Sequence, residues 1–491
     1  MSIRPLPIQR GLLIGGTETP ATSGRVTEDV NPFTGQVTAV VAAADAADVG
    51  RAVTAAQAAL PEWAATDPAR RRAVLLRAAE LLADHAEQFT DILRAETGGT
   101  VAWARFNLAG AARLMRQAVA VAAGFDADAA ENRSDLLHEP AGVVAAIVPW
   151  NAPLVLCARA VTVALAVGNT VVIRPSEDAP ISSGLFLADV LAEAGIPAGV
   201  VNVVTNDRRD AADVVAALVA NPRVRRVGFT GSTAVGRIVG RLAGDALTPV
   251  ALELGGKNPI IVLDDADVEM AVAQILFTRF MNAGQICLSV DRIIVHRAVA
   301  DAFTTRFVHH AVALAHGDPA DPDTAVGPLI NQRAVERVRA LVDDAVERGA
   351  RVLTGGGEAA RGVYRPTVID GITAAMRIHH EEVFGPVACL YVVDDDDAAV
   401  ALANDTDYGL TGAVFSGDPV RAAAVAGRLR HGTVRINHHT VDEDPSAPVS
   451  AYRDSGFGSH WDPLFFTQSR LVERSETPPW LPPWPGATAH A

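Results

Sequence analysis

The chain has only three cysteines and four tyrosines in 491 residues, and aromatic side chains make up 5% of it. Three cysteines cannot build a disulfide framework, which fits a reducing compartment, so a cytoplasmic location is expected. Positive charge is also short. Lys and Arg total 42 against 57 Asp and Glu, a net charge of −15. That balance argues against nucleic acid or an anionic membrane surface as the main partner. Long apolar runs are missing too. The longest, such as "GVVAAIVPW" (142–150), are strand-length, and the N-terminal "MSIRPLPIQRGLLIGG" has a scrap of apolar sequence before two glycines. Neither a signal peptide nor a membrane-spanning helix is expected. What is abundant is hydrophobic sequence, 49% of the chain, enough for a large core and two or three domains. A soluble globular enzyme is the reading that this composition favours, and no metal site is expected.

"EDVNPFTGQVTAVVAAA" reads as turn and strand, and alanine-rich helical sequence follows from about Ala46. "TDPARRRAVLLRAAELLADHAEQF" (66–89) predicts one amphipathic helix. Thr66 or Asp67 can cap it, Pro68 suits its first turn, and Val74, Leu75, Ala78, Leu81 and Leu82 recur at helical spacing. From residue 141, strands such as "TVVIRPS", "GVVNVVT" and "VRRVGFTG" alternate with helices such as "APLVLCARAVTVALAVG" and "STAVGRIVGRLAG". That cadence predicts a parallel sheet covered on both faces. A second α/β region runs from about "PIIVLDDAD" (259–267) to about residue 450. The proline-rich tail "ETPPWLPPWPGATAH" is expected to be loose or draped over a surface.

Chemistry concentrates in a few stretches. Cys287 lies in "MNAGQICLSV", among small and amide-bearing residues. A buried hydrophobe and a nucleophile are both open readings. Glu253, in "LELGGKNP", stands in apolar company, where desolvation raises a carboxylate towards general-base range; an edge-strand carboxylate is the plainer reading. Asn151, in "PWNAPL", sits where a strand meets a helix and can cap that helix or offer an NH₂ to an oxyanion. "RPSE" (174–177) and "FTGSTAVG" (229–236) follow strands of the parallel region, where ligands bind and helix N-termini receive phosphate. "EEVFGPV" (381–387) adds two glutamates beside a Phe-Gly-Pro turn.

Together these motifs resemble the aldehyde dehydrogenase superfamily, in order and over almost the whole chain. The resemblance implies an α/β fold of two parallel-sheet domains, a Rossmann-like NAD domain and a catalytic domain, plus a small β oligomerisation element. The expected boundaries are 1–118 and 141–253 for NAD binding and 254–453 for catalysis. Residues 119–140 and 460–491 form the oligomerisation element and C-terminal tail, with a closing strand expected from about Arg470 to Glu476. The acidic charge and the C-terminal strand favour a homodimer or larger homo-oligomer.

It also implies an NAD-dependent oxidation through a thiohemiacetal and a thioester. Cys287 attacks the aldehyde as thiolate, although at an ordinary pKa of about 8.5 only a few per cent is ionised at pH 7. The Asn151 amide and the Cys287 backbone N–H hold the oxyanion, and Glu253 activates the hydrolytic water. Lys257 is a structural or electrostatic lysine, and Gly256 lies close to the substrate carbonyl. For the cofactor, Glu382 matches a ribose-binding glutamate with Phe384 beside it. Gly231 and Ser232 meet the pyrophosphate, and Trp150, Arg174, Ser176 and Glu177 complete the set. Glu177 favours NAD by repelling a 2′-phosphate, while Arg174, in place of the usual lysine, eases tolerance of NADP.

Arg159, eight residues beyond Asn151, and Trp103, in "GGTVAWARFNLAG", resemble a subgroup of benzaldehyde, vanillin and salicylaldehyde dehydrogenases, as does "INHHTVDED" (436–444). A guanidinium at the pocket mouth suits a ring oxygen and a tryptophan suits the ring. Otherwise Arg159 is a solvated helix residue and Trp103 ordinary core. The chain departs from the subgroup at "PVSA" (448–451), which puts Val449 on the substrate channel, at His438 and His439, at "SGFGSHWD" (455–462) and at the polar "GFDADAAENRSD" (124–135). An aliphatic semialdehyde or betaine-aldehyde dehydrogenase, a nucleotide-binding scaffold without turnover and a cysteine hydrolase are the rival readings.

Overall fold

The computed structural model describes residues 7–131, 136–359, 361–447 and 451–472. Four sheets organise them. The largest has eight strands, of which Val250–Glu253, Val224–Thr230, Val143–Ile147, Thr170–Arg174 and Val201–Val203 are adjacent and parallel. These strands are rich in apolar residues because both faces are covered. Along Val143–Ile147, Val144 and Ala146 enter one core while Val143, Ala145 and Ile147 enter the opposite one, as the two-residue strand period requires. The seven-stranded sheet is parallel except for its edge strand Arg351–Thr354 and has its own core around Ile260, Ile293, Phe303 and Phe415. The α/β class expected from the strand-helix cadence is what is observed. No described helix is long and apolar enough to cross a membrane.

Three expectations need correction. The single helix over 66–89 is two, Pro68–Asp84 and Ala86–Thr97, with Asp67 as the cap. The break falls at His85, which leaves helical geometry and meets Glu193 at 3.0 Å and the edge of Phe186. Residues 119–131, assigned to the β element, instead finish the 31-residue helix Val101–Glu131. The closing strand expected at about Arg470 begins earlier. Thr467–Leu471 pairs antiparallel with Leu136–Pro140, and the rest of that segment and the tail lie outside the described residues.

Candidate active site

Neighbouring strands of the large sheet end at one place, and their ends carry chemistry. Glu253 closes Val250–Glu253, with Thr230 as its register partner on one side and Gly456 on the other. It is therefore not on the sheet edge. Gly456 has φ 115°, and a Cβ there would lie 1.9 Å from the Leu252 carbonyl oxygen, so only glycine lets this covering strand approach. The strand Val143–Ile147 leads into Trp150 and Asn151. Asn151 does not cap the following helix, whose N-cap is Ala152 with no side-chain bond. Its Nδ2 donates instead to the Gln285 carbonyl at 3.0 Å. Its own carbonyl accepts from Trp103 Nε1 and from Asn282 Nδ2, both at 3.0 Å. The side-chain amide is thus held by one bond and has a second N–H to offer, while two more bonds fix the backbone carbonyl.

Cys287 comes from the other sheet's domain. Helix Val268–Phe280 ends, and Asn282, Ala283 and Gly284 take left-handed φ of 50°, 54° and 71° in succession, folding the chain back. Two non-glycine residues in that region are unusual and mark a loop fixed by its surroundings. Those surroundings are identifiable. Arg279 Nη2 donates to the carbonyls of Gly284 at 3.1 Å and Gly385 at 2.7 Å, and Asn258 Nδ2 donates to the Cys287 carbonyl at 2.7 Å. Lys257 is structural. It is fully buried between the Glu381 carbonyl at 2.7 Å and Asp291 at 3.0 Å.

Cys157 and Cys389 are buried, whereas Cys287 is partly accessible. Burial pushes the Cys287 thiol up to about 12, against the pull of Arg159 and helped by Glu443, Glu382 and Glu253. Burial also raises Glu253 to about 7, opposed by Arg159 and aided by Glu443. A thiol that holds its proton thus sits in the field of a carboxylate that can take one near neutral pH.

Two cavities meet at Asn151 and Cys287. One is a cleft of about 1170 Å³, counting its open mouth, bordered by Trp150, Gly231, Ser232, Glu382 and Phe384, all expected there, and by Arg337 and Tyr408, which were not. Trp150 and Phe384 meet edge to face at 5.8 Å. Ser232 caps helix Thr233–Asp245, whose N-terminus opens here. Glu382 accepts the Gly256 N–H at 3.0 Å, and a Cβ on Gly255 would lie 2.6 Å from its Oε2. Burial raises Glu382 to about 7. A long cleft with a helix N-terminus and a carboxylate acceptor fits a dinucleotide. Arg174, Ser176 and Glu177 are one strand further along, outside that wall. Arg174 bonds Glu177 and Asn206, each at 2.7 Å, and Ser176 Oγ accepts the Asp178 N–H. Burial opposes ionisation of Glu177, but Arg174 and Arg208 hold it below the usual range.

The second cavity is narrow and apolar, about 510 Å³ with its mouth, and is walled by Trp103, Phe106, Leu114, Val155, Leu156 and Leu288. Trp103 is 1% exposed and stacks on Phe106 at 5.2 Å, so it is both core and pocket wall. Arg159 is not at the mouth. It is buried behind the wall, bonded to Glu443 at 2.7 Å and Thr230 at 3.0 Å, because the pocket's own Glu443 captures it. The arginine at the mouth is Arg113, on Asp442 at 2.7 Å. Val449 lies outside the described residues. Phe106 and Glu443 stood inside the quoted "AWARFN" and "INHHTVDED" stretches without being singled out; Arg337 and Tyr408 carried no signal at all.

A cysteine placed where a nucleotide-sized cleft meets an apolar pocket defines an NAD(P)-dependent aldehyde oxidoreductase. Residues 19–469 match the aldehyde dehydrogenase family. A vanillin dehydrogenase of Pseudomonas fluorescens is 44% identical over 475 residues, covering 95% of this chain and 98% of the relative. An NAD(+) benzaldehyde dehydrogenase of Pseudomonas putida is 36% identical over 481 residues, 96% and 98% of the two chains. The solved salicylaldehyde dehydrogenase from Pseudomonas putida G7, complexed with salicylaldehyde, superposes with a TM-score of 0.90 at 32% identity, covering 96% and 99%. The chain belongs to the aldehyde dehydrogenase family.

Proposed function

We propose that this enzyme oxidises aromatic aldehydes to carboxylic acids with NAD. The observation that carries the substrate class is the narrow apolar pocket ending on Cys287, walled by the stacked rings of Trp103 and Phe106. A flat ring packs against such a wall and presents its aldehyde carbon to the sulfur. The relatives named for vanillin, benzaldehyde and salicylaldehyde support the same class.

Cys287 is the nucleophile. As its S–C bond forms, the thiol proton leaves to Glu253, directly or through water, and the carbonyl oxygen becomes an oxyanion. The free N–H of Asn151 and the Cys287 backbone N–H stabilise that charge, each donor supplying about 3–4 kcal/mol. Trp150, Gly231, Ser232, Glu382 and Phe384 would hold NAD, which would supply the acceptor for the aldehyde hydrogen and its electron pair. Glu253 then gives the thiol proton up to solvent; water opens the thioester left on Cys287, Glu253 takes the water's proton and passes it to the departing sulfur, and the carboxylic acid and the thiol are released. Glu177, paired with Arg174, favours an unphosphorylated ribose by charge, so NAD is preferred over NADP.

In this reading residues 1–118 and 141–253 bind NAD, 254–453 carry catalysis, and 119–140 with 460–491 assemble a cytoplasmic homodimer or larger oligomer. The test is NADH formation with vanillin, benzaldehyde, salicylaldehyde, hexanal, succinic semialdehyde and betaine aldehyde, each with NAD and NADP. Aromatic aldehydes are expected to lead by at least about tenfold in kcat/KM, equivalent to about 1.4 kcal/mol. An aliphatic aldehyde in front would overturn the substrate class.

A further inference from the structure

Behind the aldehyde pocket lies a buried ion pair that the steps above do not use. Arg159, on helix Pro153–Ala166, donates Nη1–H to Glu443 Oε1 at 2.7 Å and Nη2–H to Thr230 Oγ1 at 3.0 Å. Their side chains are only 6% and 18% exposed. Thr230 is the register partner of Glu253, so the guanidinium is anchored beside the strand end that carries that carboxylate. Glu443 follows the strand Thr433–Ile436 and borders the pocket that ends on Cys287. Its backbone is fixed from outside. Arg113 bonds the Asp442 carboxylate at 2.7 Å and the Glu443 carbonyl at 3.2 Å, and Arg435 bonds the Asp442 carbonyl at 2.7 Å.

Such a pair does little for stability, because desolvating two charges offsets their attraction. It is also incompletely satisfied. Arg159 Nε and Glu443 Oε2 are buried and have no hydrogen-bond partner among the described residues, which a purely structural pair avoids. Its place explains it better. Among the described residues, Arg159 is the one cation that acts on both Cys287 and Glu253. Glu382 faces the sulfur from the cofactor cleft and adds negative charge. His460, after the strand Gly456–Phe457, is driven down to about 3 by burial and Arg159, so it stays neutral.

We propose that Glu443 is a positioning residue of the reaction, acting through Arg159: it takes up most of the guanidinium's charge and so sets how much reaches Glu253 and Cys287. The proposal rests on the reading of those two residues given above. A bare guanidinium at this point would bind Glu253 as an ion pair and leave it too weak a base for water. With Glu443 in place the cation is still there for the thiolate and the oxyanion, but balanced.

The test uses the full-length enzyme and two readouts. The first is alkylation of Cys287 by iodoacetamide at pH 8, without aldehyde or cofactor, with Cys287→Ala as the background for the two buried cysteines. Glu443→Gln should alkylate about three- to tenfold faster, since lowering the thiol pKa by about one unit raises the thiolate fraction more than it lowers its nucleophilicity. Arg159→Gln should alkylate slower by a similar factor, and Glu443→Asp should lie near the original enzyme. The second is the pH profile of kcat for benzaldehyde. Its acid limb should move down by about one pH unit in Glu443→Gln, with KM changed less than about threefold. If Arg159→Gln does not fold, the two Glu443 variants carry the test. Alkylation rates that superimpose on the original enzyme while the melting temperature falls would overturn the proposal in favour of a structural pair. A rise in KM confined to hydroxylated rings, with no shift in either readout, would overturn it in favour of direct substrate contact. If alkylation responds as expected but no aldehyde yields NADH, the charge coupling stands and the aromatic reading fails.

Discussion

The two cavities that meet at Cys287 are built by opposite means. The nucleotide-side cleft is made mostly of strand ends and turns: Gly231 and Ser232 after one strand, Trp150 after the next, Leu254 and Gly255 after a third. Each is fixed by sequence-local geometry. The aldehyde-side pocket is made of side chains from segments far apart, with Phe106 on one helix, Val155 and Leu156 on another, Leu288 after the cysteine and Glu443 much later. Backbone-built walls serve a ligand that does not vary. Side-chain walls are where substrate choice is written, because one substitution changes shape without disturbing a turn.

The largest test of that contrast removes the shared atom. Cys287→Ala should abolish NADH formation while NAD still binds, measured by cofactor fluorescence; residual turnover would remove the sulfur from the mechanism. Next come the two groups that flank it. Asn151→Ala should lower kcat about 10²- to 10³-fold. Glu253→Gln should lower steady-state turnover about 10²- to 10⁴-fold and slow the NADH burst as well, since the same carboxylate takes the thiol proton before hydride loss and the water's proton after it. The pH dependence follows from the same carboxylate. It works ionised and is raised to about 7, so kcat should fall as pH drops below about 7. The folded state also holds that proton more tightly than the unfolded chain, where the value is 4.5. Stability is therefore lost as pH rises from about 4.5 to 7, and Glu253→Gln should raise the melting temperature at pH 8. An unchanged melting temperature would mean that the carboxylate is not strained by burial.

Smaller effects separate the two walls. Phe106→Ala should lower kcat/KM for benzaldehyde about tenfold or more relative to hexanal and leave the KM for NAD within about twofold. Glu177→Gln should do the reverse, raising NADP use relative to NAD about tenfold with aldehyde preference unchanged. If either variant moves both ligands together, the two walls are not independent.

The same contrast explains what the sequence revealed. Glu253, Asn151 and Cys287 stood out as candidates in their short stretches, but each stretch left a plainer reading open, and their roles came from the resemblance of the motifs taken together. The parallel sheet was legible from runs such as "GVVAAIVPW" that only a doubly covered strand needs. Arg159 was legible as an arginine in an apolar helix but not in its direction, because its partner Glu443 lies 284 residues away. The helix break at His85 coincides with a contact to Glu193, 108 residues on, which no local pattern carries. The long helix through Glu131 contradicts a likeness-based strand, because alanines at 118, 120, 122 and 123 keep helical propensity high to that point.

Arg279 has a consequence for how such an enzyme can be varied. Its guanidinium bonds carbonyls on both sides of the site, Gly284 ahead of the nucleophile and Gly385 beyond Glu382, and it pairs with Asp291, which also accepts the Val383 N–H at 2.9 Å. Neither glycine tolerates a side chain. A Cβ on Gly284 would lie 2.1 Å from Arg279 Nη2, and one on Gly385 would lie 2.5 Å from Val338. The two loops are in effect one cartridge with an arginine as its pin. A chimera that borrows the cysteine loop from a relative must bring the glutamate loop with it, and natural drift in either is checked by the other.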